Sequence, residues 1–267
     1  MGFRTVEISD PRYEFQGLRF ITVKSSFLKR RADVTVFIPP NVDLKSVPVI
    51  VLLHGVYGSH WAWTMKGGAH QTLHSMIKEG TSMPFVLVMP SDGLWGDGSG
   101  YVPHRIENYE SWIGVEIPSL MDEQLPQLKD SNYYIGGLSM GGYGAFRIGL
   151  KYQDKFKGIS THSAIVRLQD INHFVEEDWS FWDWESGDSN IDELVNGSKQ
   201  VAPIRFDCGK EDNLFMANKE LHRTLSEKQI EHIFKEYPGG HDWDYWKLHV
   251  RDTFKFFDML EKQYRMS

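Results

Sequence analysis

The chain has 267 residues, 41% of them hydrophobic and 24% charged, with a formal net charge of −7. That acidity argues against nucleic acid as a partner, and the single cysteine, Cys208, excludes an internal disulfide framework or a multi-cysteine zinc site. No apolar run approaches the roughly 20 residues that span a bilayer, and Met1–Glu7 shows no cationic stretch leading into an apolar one, so a cytoplasmic protein without membrane association is expected.

The first 40 residues read as β structure. Leu18–Ser25 and Ala32–Ile38 alternate apolar and polar residues around the charged turn Lys29-Arg30-Arg31, which predicts an antiparallel hairpin. The pattern then changes. Val47–Leu53 and Phe85–Met89 are unbroken apolar runs, and Tyr133–Leu138, Phe156–Ser160, Ile204–Cys208 and His232–Tyr237 are weaker ones. Runs without alternation suit strands covered on both faces. Helical patterns fall between and after them, over Gln71–Glu79, Trp112–Leu128, Gly142–Tyr152, Asn213–Lys228 and His249–Arg265. Strand and helix in alternation imply right-handed crossovers and a doubly wound, mostly parallel α/β sheet. There is no repeat and no Pro- or Gly-rich linker, so one domain is expected over residues 1–267. One stretch breaks the rhythm. Residues 164–200 are acidic, rich in tryptophan, and too long for a simple connection, which predicts a lid or cap insertion.

Gly137-Leu138-Ser139-Met140-Gly141 is a G-x-S-x-G sequence between a predicted strand and a predicted helix. That context puts Ser139 on a tight strand-to-helix turn, exposed to substrate, with the free N–H groups of the helix start beside it. A serine hydroxyl needs a base, and in this arrangement the acid and then the histidine follow the serine in the chain. His241 follows a strand and a Gly pair, so it is the expected base. The preceding strand holds Asp207, and Glu211 and Asp212 follow beyond Gly209; Asp212 is best placed to reach His241, and the other two stay open. Two N–H donors must hold the oxyanion. Met140 supplies one, and the His54-Gly55 turn after the first buried strand supplies the other through Val56 or Tyr57.

The segments VPVIVLLHGVYGSHWAW, ENYESWIGVEIPSL, YYIGGLSMGGYGAF, DCGKEDNLF and YPGGHDWDYW, taken in this order, resemble the esterase D / feruloyl esterase family of α/β-hydrolases. Tributyrin esterases, S-formylglutathione hydrolases and mycolyl transferases are among its members. The resemblance implies an α/β-hydrolase fold, with Ser139 as nucleophile, Asp212 as acid, His241 as base, and Val56 and Met140 as oxyanion donors. It implies a carboxylic ester hydrolase working through an acyl-enzyme, with no cofactor and no metal. Thr161-His162-Ser163-Ala164 and the segment 164–200 depart from the family pattern.

Substrate is less determined. Aromatic residues make up 13% of the chain, with nine tryptophans. Tyr57, Trp95, Tyr101, Trp182, Trp184 and Trp243 are expected to frame a small acyl or a carbohydrate-linked ester of the acetyl or feruloyl type. An acyltransferase, an S-formylglutathione hydrolase-like thioesterase, or a non-catalytic carbohydrate-binding homologue would carry the same features. Homo-oligomerisation stays open. His70 and His74 have metal-ligand spacing but lack the Glu of an H-E-x-x-H site, the Gly-rich stretch 93–100 lacks a phosphate-loop pattern, and Cys208 reads as a buried small hydrophobe.

Overall fold

The computed structural model describes residues 3–178, 189–197 and 201–266. Its nine strands form one sheet in the order β1-β2-β3-β5-β4-β6-β7-β8-β9. The N-terminal strands β1 (Val6–Ile8), β2 (Leu18–Lys24) and β3 (Arg31–Phe37) pair antiparallel, and β3 runs antiparallel to β5 (Val86–Pro90). From there β4 (Val49–Leu53), β6 (Tyr133–Leu138), β7 (Phe156–His162), β8 (Ile204–Gly209) and β9 (His232–Tyr237) are parallel. The predicted hairpin and the doubly wound sheet are both present. Strand β1, which the sequence reading did not find, adds an edge to the hairpin.

The β4 sequence VIVLL is apolar throughout because each face has its own cover. Val49, Val51 and Leu53 enter one core and Ile50 and Leu52 the other, as the two-residue period of a strand requires. The first core is closed by α4 (Ile117–Gln124), α5 (Met140–Lys151) and α7 (Phe215–Glu227). The second is closed by α2 (Ala69–Lys78), α8 (Trp243–Met266) and Trp63 of the short α1 (Ala62–Met65). Strand β9 corrects the expectation of burial on both faces. It is the free edge, and most of its residues are partly or fully exposed.

Two helices differ from the predicted bounds by more than two residues. The pattern over Trp112–Leu128 is divided into α3 (Tyr109–Ser111), a π-helical turn (Trp112–Glu116), α4 and a 3₁₀ turn (Pro126–Leu128). Pro118 has no N–H to give to Gly114, and the Ile117 N–H bonds back to the Trp112 carbonyl, five residues away. Helix α8 begins at Trp243 rather than His249, directly after the loop that holds His241.

The insertion is only partly described. A 3₁₀ helix (Leu168–His173) and α6 (Ile191–Gly197) belong to it, joined by an isolated bridge between Arg167 and Asn190. Trp182 and Trp184 lie outside the described residues.

Candidate active site

Ser139 stands between β6 and α5 with φ 53° and ψ −121°, a conformation that L-residues rarely adopt. Glycines make room for it. A Cβ at Gly141 would come within 2.4 Å of the Leu53 and His54 carbonyl oxygens, so no side chain fits there. The Ser139 N–H donates to the His162 carbonyl at 3.0 Å, and the Ser139 carbonyl accepts from Tyr143 and Ile165. These bonds fix the turn from three directions.

His241 lies in the loop between β9 and α8, and Asp212 in the loop between β8 and α7. His241 Nδ1 is 2.9 Å from Asp212 Oδ2, and His241 Nε2 is 3.0 Å from Ser139 Oγ. A carboxylate can only accept, so Nδ1–H donates, and the neutral ring leaves Nε2 to accept the serine O–H. The second Asp212 oxygen accepts the Leu214 N–H at 2.8 Å. Burial pushes the Asp212 carboxyl up, but the hydrogen bond and charge of His241, with the Leu214 N–H, outweigh it and hold it below the usual carboxylate range.

The other two carboxylates are engaged elsewhere. Glu211 accepts the Gly239 N–H, while its own N–H donates to the Gly239 carbonyl, and this ties the two loops together. Asp207 is fully buried, bonded by the Tyr245 hydroxyl at 2.7 Å and paired with Arg205 and His162. Of the three candidates, Asp212 is the one the fold brings to His241.

Val56 lines the same cavity as Ser139, and its N–H gives no backbone hydrogen bond among the described residues. Tyr57 N–H donates to the Asp97 carbonyl at 2.8 Å, which leaves Val56 as the free donor of the two. Met140 is the first residue of α5, so its N–H has no intrahelical acceptor. His54 holds this loop. Its Nδ1–H donates to the Gly55 carbonyl at 2.7 Å and its Nε2 accepts the Asp92 N–H at 3.0 Å.

The cavity over Ser139 has a volume of ≈ 280 Å³. A larger groove of ≈ 780 Å³ lies between the 3₁₀ helix Leu168–His173 and α7 and is lined by none of Ser139, His241 and Asp212. Tyr57 and Trp243 line the Ser139 cavity, as expected from the sequence. Tyr101 does not. It is fully buried, its hydroxyl donates to the His54 carbonyl at 3.1 Å, and its ring fills the space that a Cβ at Gly144 would take. Trp95 packs edge-on against His104 at 4.7 Å and is not among the residues lining the cavity.

The cavity also has a roof that no sequence pattern marks. Phe174, in the insertion, stacks on the His241 ring at 5.5 Å and 22°. Trp246 meets that ring edge-on at 5.0 Å. The Tyr57 hydroxyl donates to the Phe174 carbonyl, Asp97 Oδ2 accepts the Glu176 N–H at 3.0 Å, and the Asp97 N–H donates to Glu177 Oε1 at 3.0 Å. The loop 93–100 thus fastens the roof segment. No spacing rule in the sequence points to Phe174.

Comparisons with known proteins place these features in a wider setting. A family model described as "Putative esterase" matches residues 25–257. An acetyl esterase of Caldicellulosiruptor saccharolyticus is 28% identical over 90% of this chain and 97% of its own length. A solved ferulic acid esterase superposes with a TM-score of 0.79 at 21% identity, covering 96% of this chain and 99% of that one. An S-formylglutathione hydrolase of Staphylococcus aureus does so with a TM-score of 0.75 at 19% identity, covering 94% and 98%. The fold is of the α/β-hydrolase type.

Proposed function

The chain belongs to the esterase family and is an ester-hydrolysing enzyme, and from that premise we propose that it works through Ser139, His241 and Asp212 by way of an acyl-enzyme. The observation that carries this is the unbroken line of contacts from Asp212 Oδ2 through the His241 ring to Ser139 Oγ, at 2.9 and 3.0 Å. His241 Nε2 takes the serine proton as Oγ attacks the ester carbonyl. The Val56 and Met140 N–H groups hold the oxygen that becomes negative. As the tetrahedral intermediate collapses, the C–O bond breaks and the alcohol leaves with the proton from His241. Water then attacks the acyl-enzyme with His241 as base, and the acid is released. Asp212 stabilises the imidazolium in both halves.

For the substrate we favour an acetyl- or feruloyl-type ester of a neutral alcohol. Such a reading agrees with the acetyl esterase and ferulic acid esterase relatives. A thioester of a peptide that carries two carboxylates against one ammonium is less suited to this mouth. Burial pushes the Tyr57 phenol up, and the charges of Asp97, Glu176 and Glu177 near it add to the shift. Carboxylates crowded at an entrance repel an anionic substrate.

Turnover of p-nitrophenyl acetate tests the reading. Ser139→Ala is expected to lose about 10⁶-fold in kcat, the scale seen for a triad serine, and a phosphonate ester should attach to Ser139 alone. Labelling at another serine would overturn the assignment. A panel of acetyl, butyryl and feruloyl esters then identifies the acyl group.

A further inference from the structure

The Gly-rich stretch 93–100 takes no part in the steps above, yet it lies against both the oxyanion loop and the roof. A buried carboxylate closes its base. Asp92 Oδ1 accepts the Leu94 N–H at 3.0 Å, and Asp92 Oδ2 accepts the Ser99 N–H at 2.8 Å. Asp97 stands at its tip between two glycines, each pressed against a different neighbour. A Cβ at Gly96 would run into the Glu177 side chain of the roof segment. A Cβ at Gly98 would meet Met140 Sδ and, at 3.2 Å, Val56 Cγ1, which belong to the two residues whose N–H groups face the oxyanion. Bare backbone on either side of Asp97 lets the roof and the oxyanion residues close in on it.

The groups of Asp97 itself bind in both directions. Its carbonyl accepts the Tyr57 N–H at 2.8 Å, which anchors it on the oxyanion loop. Its Oδ2 accepts the Glu176 N–H at 3.0 Å, and its own N–H donates to Glu177 Oε1 at 3.0 Å. The Tyr57 hydroxyl completes the circuit on the Phe174 carbonyl. What this circuit holds in place is the Phe174 ring, stacked on His241. The other ring against the imidazole, Trp246, is fixed within α8. Phe174 stands in the insertion, outside the sheet and its helices, so its height over His241 depends on how that segment is tied down. A base displaced by about 1 Å can lose on the order of 10²-fold in rate, so such a tie bears on turnover.

We propose that Asp97 is a positioning residue for the reaction. It acts on His241 through Phe174 and uses the oxyanion loop as its anchor. The proposal rests on the Ser139–His241–Asp212 reading and adds a residue that touches neither the substrate nor the reacting atoms. The experiment is a double-mutant cycle on p-nitrophenyl acetate turnover, with active sites counted by the phosphonate ester. Asp97→Ala should lower kcat roughly tenfold and leave KM within about twofold, because the base is misplaced while the small ester still binds. Phe174→Ala should cost about as much, and the double variant no more than the worse of the two. Asp97→Asn keeps an oxygen that accepts the Glu176 N–H, so it should retain at least about a third of the wild-type kcat. Glu176→Pro removes that N–H from the other partner and should reproduce the loss with Asp97 intact, which covers the case of an Asp97→Ala that does not fold. Losses that multiply to roughly a hundredfold in the double variant would overturn the proposal. So would a rise in KM with kcat unchanged, since the roof would then hold substrate rather than the base. An Asp97→Asn as slow as Asp97→Ala would overturn it too. A wild type inert toward the ester, or a Ser139→Ala as active as the wild type, would instead mark failure of the Ser139 reading.

Discussion

Two hydroxyl–histidine–aspartate lines run through the described residues, and of these two one opens on a cavity. Ser139, His241 and Asp212 lie in loops beyond the ends of the strands. Thr253, His162 and Asp207 lie one layer below, inside the sheet and helix α8. The spacings are nearly the same. His162 Nε2 is 2.8 Å from Thr253 Oγ1 and His162 Nδ1 is 2.9 Å from Asp207 Oδ2. The differences are in the surroundings. Thr253 is wholly buried, and its hydroxyl is shared with Ser160 Oγ at 2.7 Å. It sits in the middle of α8, where N–H groups are already bonded within the helix. Asp207 also faces the Arg205 guanidinium, and its approach to His162 is too oblique for a directed hydrogen bond. Distance between three groups therefore does not make a nucleophile. Access for a substrate, and the N–H donors proposed above to hold its oxygen, separate the outer line from the inner one.

The comparison can be broken most sharply at the two aspartates. Asp212→Asn should lower kcat by on the order of 10⁴, the scale seen when a triad aspartate becomes an amide, with melting temperature little changed. Glu211→Gln, one residue away, should keep most of the activity in the same steady-state assay. If Glu211→Gln collapses and Asp212→Asn does not, the outer line has been drawn through the wrong residue.

Asp207→Asn should do the reverse. Removing the buried partner of Arg205 is expected to cost about 3–5 kcal/mol of stability, measured by denaturant unfolding, while kcat per folded molecule changes little. The effect carries a pH signature. Burial pushes the Asp207 carboxyl up, but His162, Arg205 and the Tyr245 hydroxyl outweigh it and hold it well below the usual carboxylate range. A carboxyl lowered in the folded state adds stability above its unfolded value, about 3.9, and loses it as pH falls through the lowered one. The gap in Tm between wild type and variant should stay wide from neutral pH to about 4.5 and narrow below about 4. A gap independent of pH down to about 2 would contradict the pairing.

Thr253→Val is the gentlest probe. It leaves His162 Nε2 and Ser160 Oγ without their shared partner, at a cost of about 1–3 kcal/mol in thermal unfolding. Turnover should stay within about twofold of wild type. A much larger fall in kcat would mean that the inner line helps to place Ser139, whose N–H rests on the His162 carbonyl.

The outer line was legible in the sequence because each member follows a strand and sits near glycines: Ser139 in G-x-S-x-G, Asp212 after Gly209, His241 after Gly239-Gly240. Strands β4 and β5 were legible for a related reason, since unbroken apolar runs can only be covered on both faces. The inner line was not. His162 and Asp207 are neighbours because β7 and β8 pair in a register that sets them opposite each other, and register between distant strands leaves no local mark. Tyr101 shows the same limit from the other side. In a Gly-rich loop no periodicity tells inward from outward, and the tyrosine proved to be a core residue packed on Gly144. Phe174 was hidden because stacking on His241 depends on how the insertion folds back, and on its fastening to Asp97 and Tyr57.

The backbone at Ser139 has a consequence for how such a protein persists. A left-handed φ at a serine costs on the order of 1–3 kcal/mol, which is a sizeable share of the net stability of a domain. A glycine at this position would relax that strain, but it would also leave His241 Nε2 without its partner at 3.0 Å, Ser139 Oγ. Under the mechanism proposed above, it is turnover rather than the turn itself that accounts for a serine held in this conformation.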